Sequence, residues 1–361
     1  MLVSTVPSWG HLVPMLGVIR AFGADGHDVL VATNPAFHPA VTSLGLKALA
    51  AGMSDSEMLA ERAARWPATK DRPPQEWAMH MFTEIAAPAM SADLAPLIDS
   101  GWPDLVLCEE GEYGGVLAAA RTGTPVITHG WGTPRSAASR ADGHIDPCPP
   151  SMAGDIPDGR RWVVRFAVSQ LVTAEPETAA WVAARQRPLA HVGFGTVPFY
   201  RDAPGVVAEM IVALDACGLD AICTVGDPAD PAYSEVAVAG VRFESFVSLP
   251  DLLPRCSLVV SHGGAGTTLA ALAHGLPVLV LPRGAPSQQR MADSCVARGV
   301  GRAVLAQGST QEQLRAEVDA LLGRPSYRAE ATAVAEEMTA APEASAVAAS
   351  LCEFVERGLH R

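Results

Sequence analysis

Ser257-Leu-Val-Val-Ser-His-Gly-Gly-Ala-Gly-Thr-Thr-Leu-Ala-Ala-Leu-Ala-His274 is the stretch whose reading decides the fold class. Ser257 to Val260 reads as a buried strand, and Leu269 to His274 opens a helix. A strand, a turn of small residues and a helix, in that order, form the repeating unit of a parallel sheet. Small residues let backbone approach a ligand closely. The first N–H groups of a helix have no partners inside it, and the helix dipole adds positive potential there. His262, Gly263, Gly264, Ala265, Gly266 and Thr267 therefore read as an anion site suited to a pyrophosphate. Thr267 and Thr268 add hydroxyls, and His262 adds an imidazole N–H. The plainer alternative is a tight turn that holds nothing; the ordered combination of strand, histidine, three glycines, two threonines and helix favours the site. Leu269 stands where the last glycine of G-x-G-x-x-G would fall, and no Gly-Lys-Ser/Thr follows. Both departures count against a dehydrogenase and an ATPase.

The same alternation extends both ways. Upstream, Ala190 to Phe194 and Asp220 to Val225 read as strands, with Gly205 to Cys217 as a helix between them. Downstream, Val278 to Leu281 reads as a strand and Gln288 to Arg298 as a helix, and from Thr310 on the chain is almost wholly helical. The first half has the same rhythm: strands at Leu2 to Val6, His27 to Thr33, Asp104 to Cys108 and Pro125 to Thr128, with a helix over Leu12 to Phe22. Arg140 to Asp158, rich in Pro, Asp, Gly and Ser, reads as a mobile loop leading to a linker. The expectation is α/β: two facing doubly wound Rossmann-like domains with parallel sheets and a ligand cleft at the strands' carboxyl ends. We divide the chain into an N-terminal Rossmann-like domain over 1–170, a linker over 171–187, a C-terminal Rossmann-like domain over 188–344 that carries the anion site, and a final helix over 345–361 returning to the first domain.

Composition agrees. With 361 residues, 49% hydrophobic and 18% charged, the chain can fill two cores. Its formal charge of −13 repels phosphate backbones, so nucleic acid is not an expected partner. Seven scattered cysteines with no C-x-x-C pair fit a reduced compartment and no zinc site. With no apolar run of membrane-spanning length and no leader-like start, we expect a cytoplasmic protein, monomeric or homodimeric.

The run Phe243-Glu-Ser-Phe-Val-Ser-Leu-Pro-Asp-Leu-Leu-Pro-Arg-Cys256, the His262 to Thr268 block and Gly275-Leu-Pro-Val-Leu-Val-Leu-Pro282 together resemble the donor site of family 1 glycosyltransferases, especially bacterial enzymes that decorate antibiotics and other natural products. The match is specific over about Val241 to Gly301, and order and spacing agree along most of the chain. The resemblance implies the GT-B fold, a nucleotide-sugar co-substrate, with dTDP favoured over UDP, and no further cofactor. It implies that His262 and Gly264 to Thr267 bind the diphosphate, while Val247, Leu249 and neighbouring backbone hold the nucleobase. Gly193-Phe-Gly195-Thr196 resembles the start of the family's second domain; Gly195 and Thr196 either touch phosphate or form a simple turn. Where the family often has an Asp-Gln pair on the donor sugar, this chain has Ser287-Gln288. A serine lacks the charge-assisted bonds of a carboxylate, which suits a less hydroxylated, deoxy sugar.

Gly10-His11-Leu-Val-Pro14 begins the first helix straight after the first strand, aiming His11 at the cleft. A neutral imidazole is matched to remove a proton from an acceptor hydroxyl near neutral pH. Capping the helix start is the alternative role. Glu109, at the tip of a neighbouring strand and where the family usually has Asp, would orient His11. Glu110 and Glu112 read as solvated loop charges. No D-x-D triplet is present, so we expect no metal: the helix end and His262 would steady the leaving diphosphate while the anomeric configuration inverts.

Ser54 to Ser100 breaks the rhythm and reads either as ordinary packing helices or as a lid over an acceptor cavity. Trp66, Trp77, Met79 and Phe82 from that stretch, with Trp131 at a strand end, make an apolar acceptor pocket for a small aglycone such as a polyketide. C-glycosylation of an aromatic ring would use the same base. A sugar-nucleotide epimerase on the same fold and a non-catalytic nucleotide-binding protein are the rival classes; Ser287 counts against the first and the pairing of His11 with an acid against the second.

Overall fold

The computed structural model describes residues 1–69, 78–133, 141–154, 160–168, 175–195, 204–234 and 239–359. Seven short strands make the first sheet: β1 (Leu2–Ser4), β2 (Leu30–Thr33), β3 (Lys47–Ala50), β4 (Val106–Glu109), β5 (Val126–His129), β6 (Gly143–Asp146) and β7 (Arg160–Val163). Their order is β3-β2-β1-β4-β5-β6-β7, and every pair runs parallel. The second sheet has β8 (Leu189–Gly193), β9 (Asp220–Thr224), β10 (Val241–Glu244), β11 (Cys256–Ser261), β12 (Val278–Val280) and β13 (Gly301–Ala303). It is also wholly parallel, in the order β10-β9-β8-β11-β12-β13.

Central strands such as β4 and β11 are apolar without alternation because helices cover both faces. On the first sheet, Leu16–Ala24 and Ala344–Leu359 share one face, where Ile19, Phe22, Val347 and Leu351 pack with Val3 and Leu107. Ala87–Asp99 and Gly114–Ala119 cover the other through Leu94, Ile98 and Ala118. On the second, Ala265–Ala273, Pro286–Arg298 and Pro325–Ala340 lie on one face, and Pro204–Ala216 and Gln311–Gly323 on the other.

In each sheet the strand order reverses once, between β1 and β4 and between β8 and β11. At such a point neighbouring connections leave to opposite faces and open a crevice at the strands' carboxyl ends. The two layers also touch. Cys148 and Met152 sit in the second sheet's core, the Ser294 hydroxyl donates to the Met152 carbonyl (2.8 Å), and the Ser151 N–H donates to Glu337 (2.8 Å).

One expectation is corrected. Arg140 to Asp158 is not simply a mobile loop: within it Gly143–Asp146 forms β6, buried throughout and paired on both sides. Its Gly-His-Ile-Asp sequence has weak strand propensity; ladder bonds and burial decide the outcome. β3, β7, β10 and β13 likewise carry no distinct pattern of their own. Among the described residues no helix is long and apolar enough to cross a membrane.

Candidate active site

At the first reversal point, Ser4 pairs with Cys108 of β4, which brings the ends of β1 and β4 side by side. After β1 the chain enters a short helix, Trp9–Leu12, pinned by the fully buried Leu12. His11, one residue earlier, keeps 21% of its side chain exposed, whereas Glu109, last in β4, is fully buried. His11 Nδ1 lies 3.0 Å from Glu109 Oε1. The contact is off the hydrogen-bonding axis. Glu109 Oε2 accepts from the Gly111 N–H (2.6 Å) and the Trp131 indole N–H (2.7 Å). Burial is the largest single influence on the His11 pKa and lowers it, but Glu109 and the charges of Glu110 and Asp55 together outweigh it, and the net shift is upward from 6.5. Burial pushes Glu109 the other way, and there too the partner wins: its pKa falls below the usual carboxylate value because of His11 and the two N–H donors.

Glu110 and Glu112 are not solvated loop charges. Glu110 accepts from the Thr133 hydroxyl (3.3 Å). Glu112 is 4% exposed and accepts from the Gly114 and Gly115 N–H groups (2.5 and 2.9 Å) and the Ser4 hydroxyl. Burial raises its pKa to about 7.

The second reversal point holds the glycine turn. Gly264 caps Ala265–Ala273 with no side-chain bond, so no cap side chain satisfies the helix's first amides. The imidazole of His262 is buried beside Gly195 and Gly264. A Cβ at Gly264 would stand 2.4 Å from the ring and one at Gly195 2.6 Å, so both positions need glycine. Gly195 adds a φ of +82°, which favours glycine independently. Burial depresses the His262 pKa to about 4, leaving a neutral ring. Thr268 is not available to a ligand: it is fully buried and shares a hydrogen bond with the Ser261 hydroxyl (2.8 Å). Thr267 is half-buried and Gly266 exposed, at the open side of the turn. Thr196 lies outside the described residues.

Arg283 was missed by sequence reasoning. Its guanidinium lies 5.9 Å over the Phe194 ring, and its charge contributes to the low pKa of His262. Only its place just after Pro282 could have signalled it. Ser287 and Gln288 begin Pro286–Arg298; Gln288 is buried and its side-chain oxygen accepts from the Arg283 N–H (2.8 Å). Val247 and Ser248 line a cavity of about 220 Å³ with Thr178, Ile222, Leu252 and Arg255. Leu249 starts the next short helix, Leu249–Leu252.

The expected acceptor residues are dispersed. Phe82 lines a narrow cavity of about 20 Å³ beside Met53, Met58, Met90, Glu112 and Tyr113. Trp66 instead packs on Met58, Met81 and Ile85. Met79 is 59% exposed, with the Tyr113 hydroxyl 3.7 Å from its sulfur. Trp131 belongs to the His11–Glu109 pair, and Trp77 lies outside the described residues.

Comparison with known proteins gives concordant results. Two family models, described as the N-terminal and C-terminal domains of erythromycin biosynthesis protein CIII-like proteins, match residues 20–199 and 206–354. An L-demethylnoviosyl transferase of Streptomyces niveus is 29% identical over 97% of both chains. The glycosyltransferase VinC in complex with dTDP superposes with a TM-score of 0.78 at 22% identity, over 99% of this chain and all of that one. A spinosyn rhamnosyltransferase complexed with spinosyn aglycone gives 0.79 at 23% identity, over 97% and 100%. The fold is shared with these GT-B enzymes.

Proposed function

This chain belongs to the erythromycin biosynthesis protein CIII-like family of glycosyltransferases, and from that premise we propose an inverting, metal-independent transfer of a deoxy sugar from dTDP to a hydroxyl of an apolar aglycone of the polyketide kind. His11 is the general base. Its pKa, raised above 6.5, makes it a stronger base than free imidazole, and Glu109 steadies the imidazolium that forms. The activated oxygen attacks the anomeric carbon from the face opposite the diphosphate. The carbon–oxygen bond to the diphosphate breaks, and the leaving charge settles on the amides of Ala265 to Thr267, the neutral His262 and the nearby Arg283. The nucleobase end lies toward Val247 and Leu249, and Ser287 and Gln288 border the sugar.

The single observation that carries this reading is the 3.0 Å contact between His11 and a buried Glu109 at a sheet reversal point. dTDP is preferred because VinC is solved with it and because the antibiotic-type relatives span the whole chain. The aglycone assignment draws on the methionine-lined cavity, since methionines reshape around varied apolar ligands. At about 20 Å³ that cavity must widen on binding. The test is incubation with a dTDP-deoxysugar and a panel of polyketide aglycones. The expected result is a mass gain of one sugar with inverted anomeric configuration. Retention, or isomerisation of the donor without acceptor, contradicts the proposal.

A further inference from the structure

We propose that Trp131 is a positioning residue whose indole N–H holds one oxygen of Glu109 so that the other faces His11. Three contacts converge on this ring. The indole N–H donates to Glu109 Oε2 at 2.7 Å. The ring stands edge-on to the His11 imidazole, with centroids 4.6 Å apart and planes at 66°. Trp131 also packs against the second sheet's core, which includes Ala265 and Leu269 of the helix that carries the glycine turn. One indole therefore touches the acid, the base and the donor-side helix layer.

The backbone is shaped for this placement. A Cβ at Gly111 would stand 2.7 Å from the indole Cζ2, so the loop after β4 must lack a side chain there. Gly132, with a φ of +94°, leaves room for Leu269, whose Cδ1 lies 2.3 Å from where a Cβ would be. Glu109 then has Oε2 held by two N–H donors and Oε1 left toward His11. A glutamate has one more torsion than an aspartate and more ways to turn away. The indole bond restricts that freedom. The indole N–H of this ring, which was expected to line the acceptor pocket, is thus engaged by Glu109.

The inference rests on the reading of His11 as base, but its test needs no substrate. The charged groups felt by His11 are Glu109 and Glu110 at the end of β4 and Asp55 at the start of the helix Asp55–Arg65. In isotope-labelled full-length protein, NMR follows the imidazole titration of His11 in the wild type, Trp131→Phe, Glu109→Gln and the double variant. Trp131→Phe keeps an aromatic ring and removes the N–H. The expected result is a downward shift of the His11 midpoint by about half a pH unit, toward the Glu109→Gln value. In the Glu109→Gln background the same change should give no further shift. An unchanged or raised midpoint, or an equal shift in both backgrounds, overturns the proposal. If Trp131→Phe does not fold, the Trp131 indole N–H resonance, identified by its contact with the His11 ring, decides the matter: it should move in Glu109→Gln, and an unmoved resonance overturns the proposal. Sugar transfer by His11→Ala would defeat the base assignment while leaving this linkage standing.

Discussion

At the scale of single residues, two histidines of the candidate site have opposite pKa shifts. His11 faces a carboxylate and is raised above 6.5; His262, enclosed by glycines, falls to about 4. The acidic limb of the pH–rate profile should therefore belong to His11 and lie above pH 6.5, since activity requires the neutral base and is lost as pH falls through its pKa. In Glu109→Gln the raising charge is gone, and the limb should move to lower pH; kinetics over about pH 5 to 9 measure this. An unmoved limb means Glu109 does not govern the base. His11→Ala should cut turnover by about 10² or more while calorimetry shows dTDP affinity nearly unchanged. His262 was legible in the sequence because it directly follows a strand and precedes a helix, and His11 because it sits in the first helix after the first strand. Arg283 and the Trp131–Glu109 bond were not, because both depend on which strand ends lie together, information carried by sheet order.

At the scale of elements, the turn before Ala265–Ala273 is built around the His262 ring. Gly264→Ala leaves a backbone conformation that alanine tolerates (φ −68°, ψ 136°), yet its Cβ would stand 2.4 Å from that ring. We expect dTDP affinity to fall by about tenfold, the worth of one charge-assisted hydrogen bond, and the thermal midpoint to drop by about 2–4 °C as the buried ring is displaced. Unchanged affinity in calorimetry would remove His262 from the diphosphate site. The wall of the methionine-lined cavity includes Phe82 and Ala86 from a π-helical turn, Met81–Ala86. Such turns store local irregularity and recur at functional sites. The sequence showed a break in rhythm over this region without revealing the turn, since hydrophobic spacing fixes a helix face but not a single extra residue in its winding. Strong alternation made the central strands legible. Edge strands such as β3 and β7 were not, because they are short, half-exposed and specified by their neighbours.

At the scale of the whole molecule, two parallel sheets each contribute one reversal point, and each reversal point contributes one histidine. The first offers an imidazole beside a buried acid; the second offers a helix start without a side-chain cap and a neutral imidazole. Trp131 and Gly132 join the two through Leu269. A sheet reversal is the natural place for such groups because adjacent loops part there without any cost in strand pairing. The central claim is that the amino end of Ala265–Ala273 takes the donor diphosphate on the side that faces His11. A crystal structure of the protein with dTDP tests it most directly. The account predicts diphosphate oxygens about 3 Å from the amides of Ala265, Gly266 and Thr267, with the terminal phosphate open toward His11. A diphosphate bound away from that helix end, or turned from His11, would contradict it.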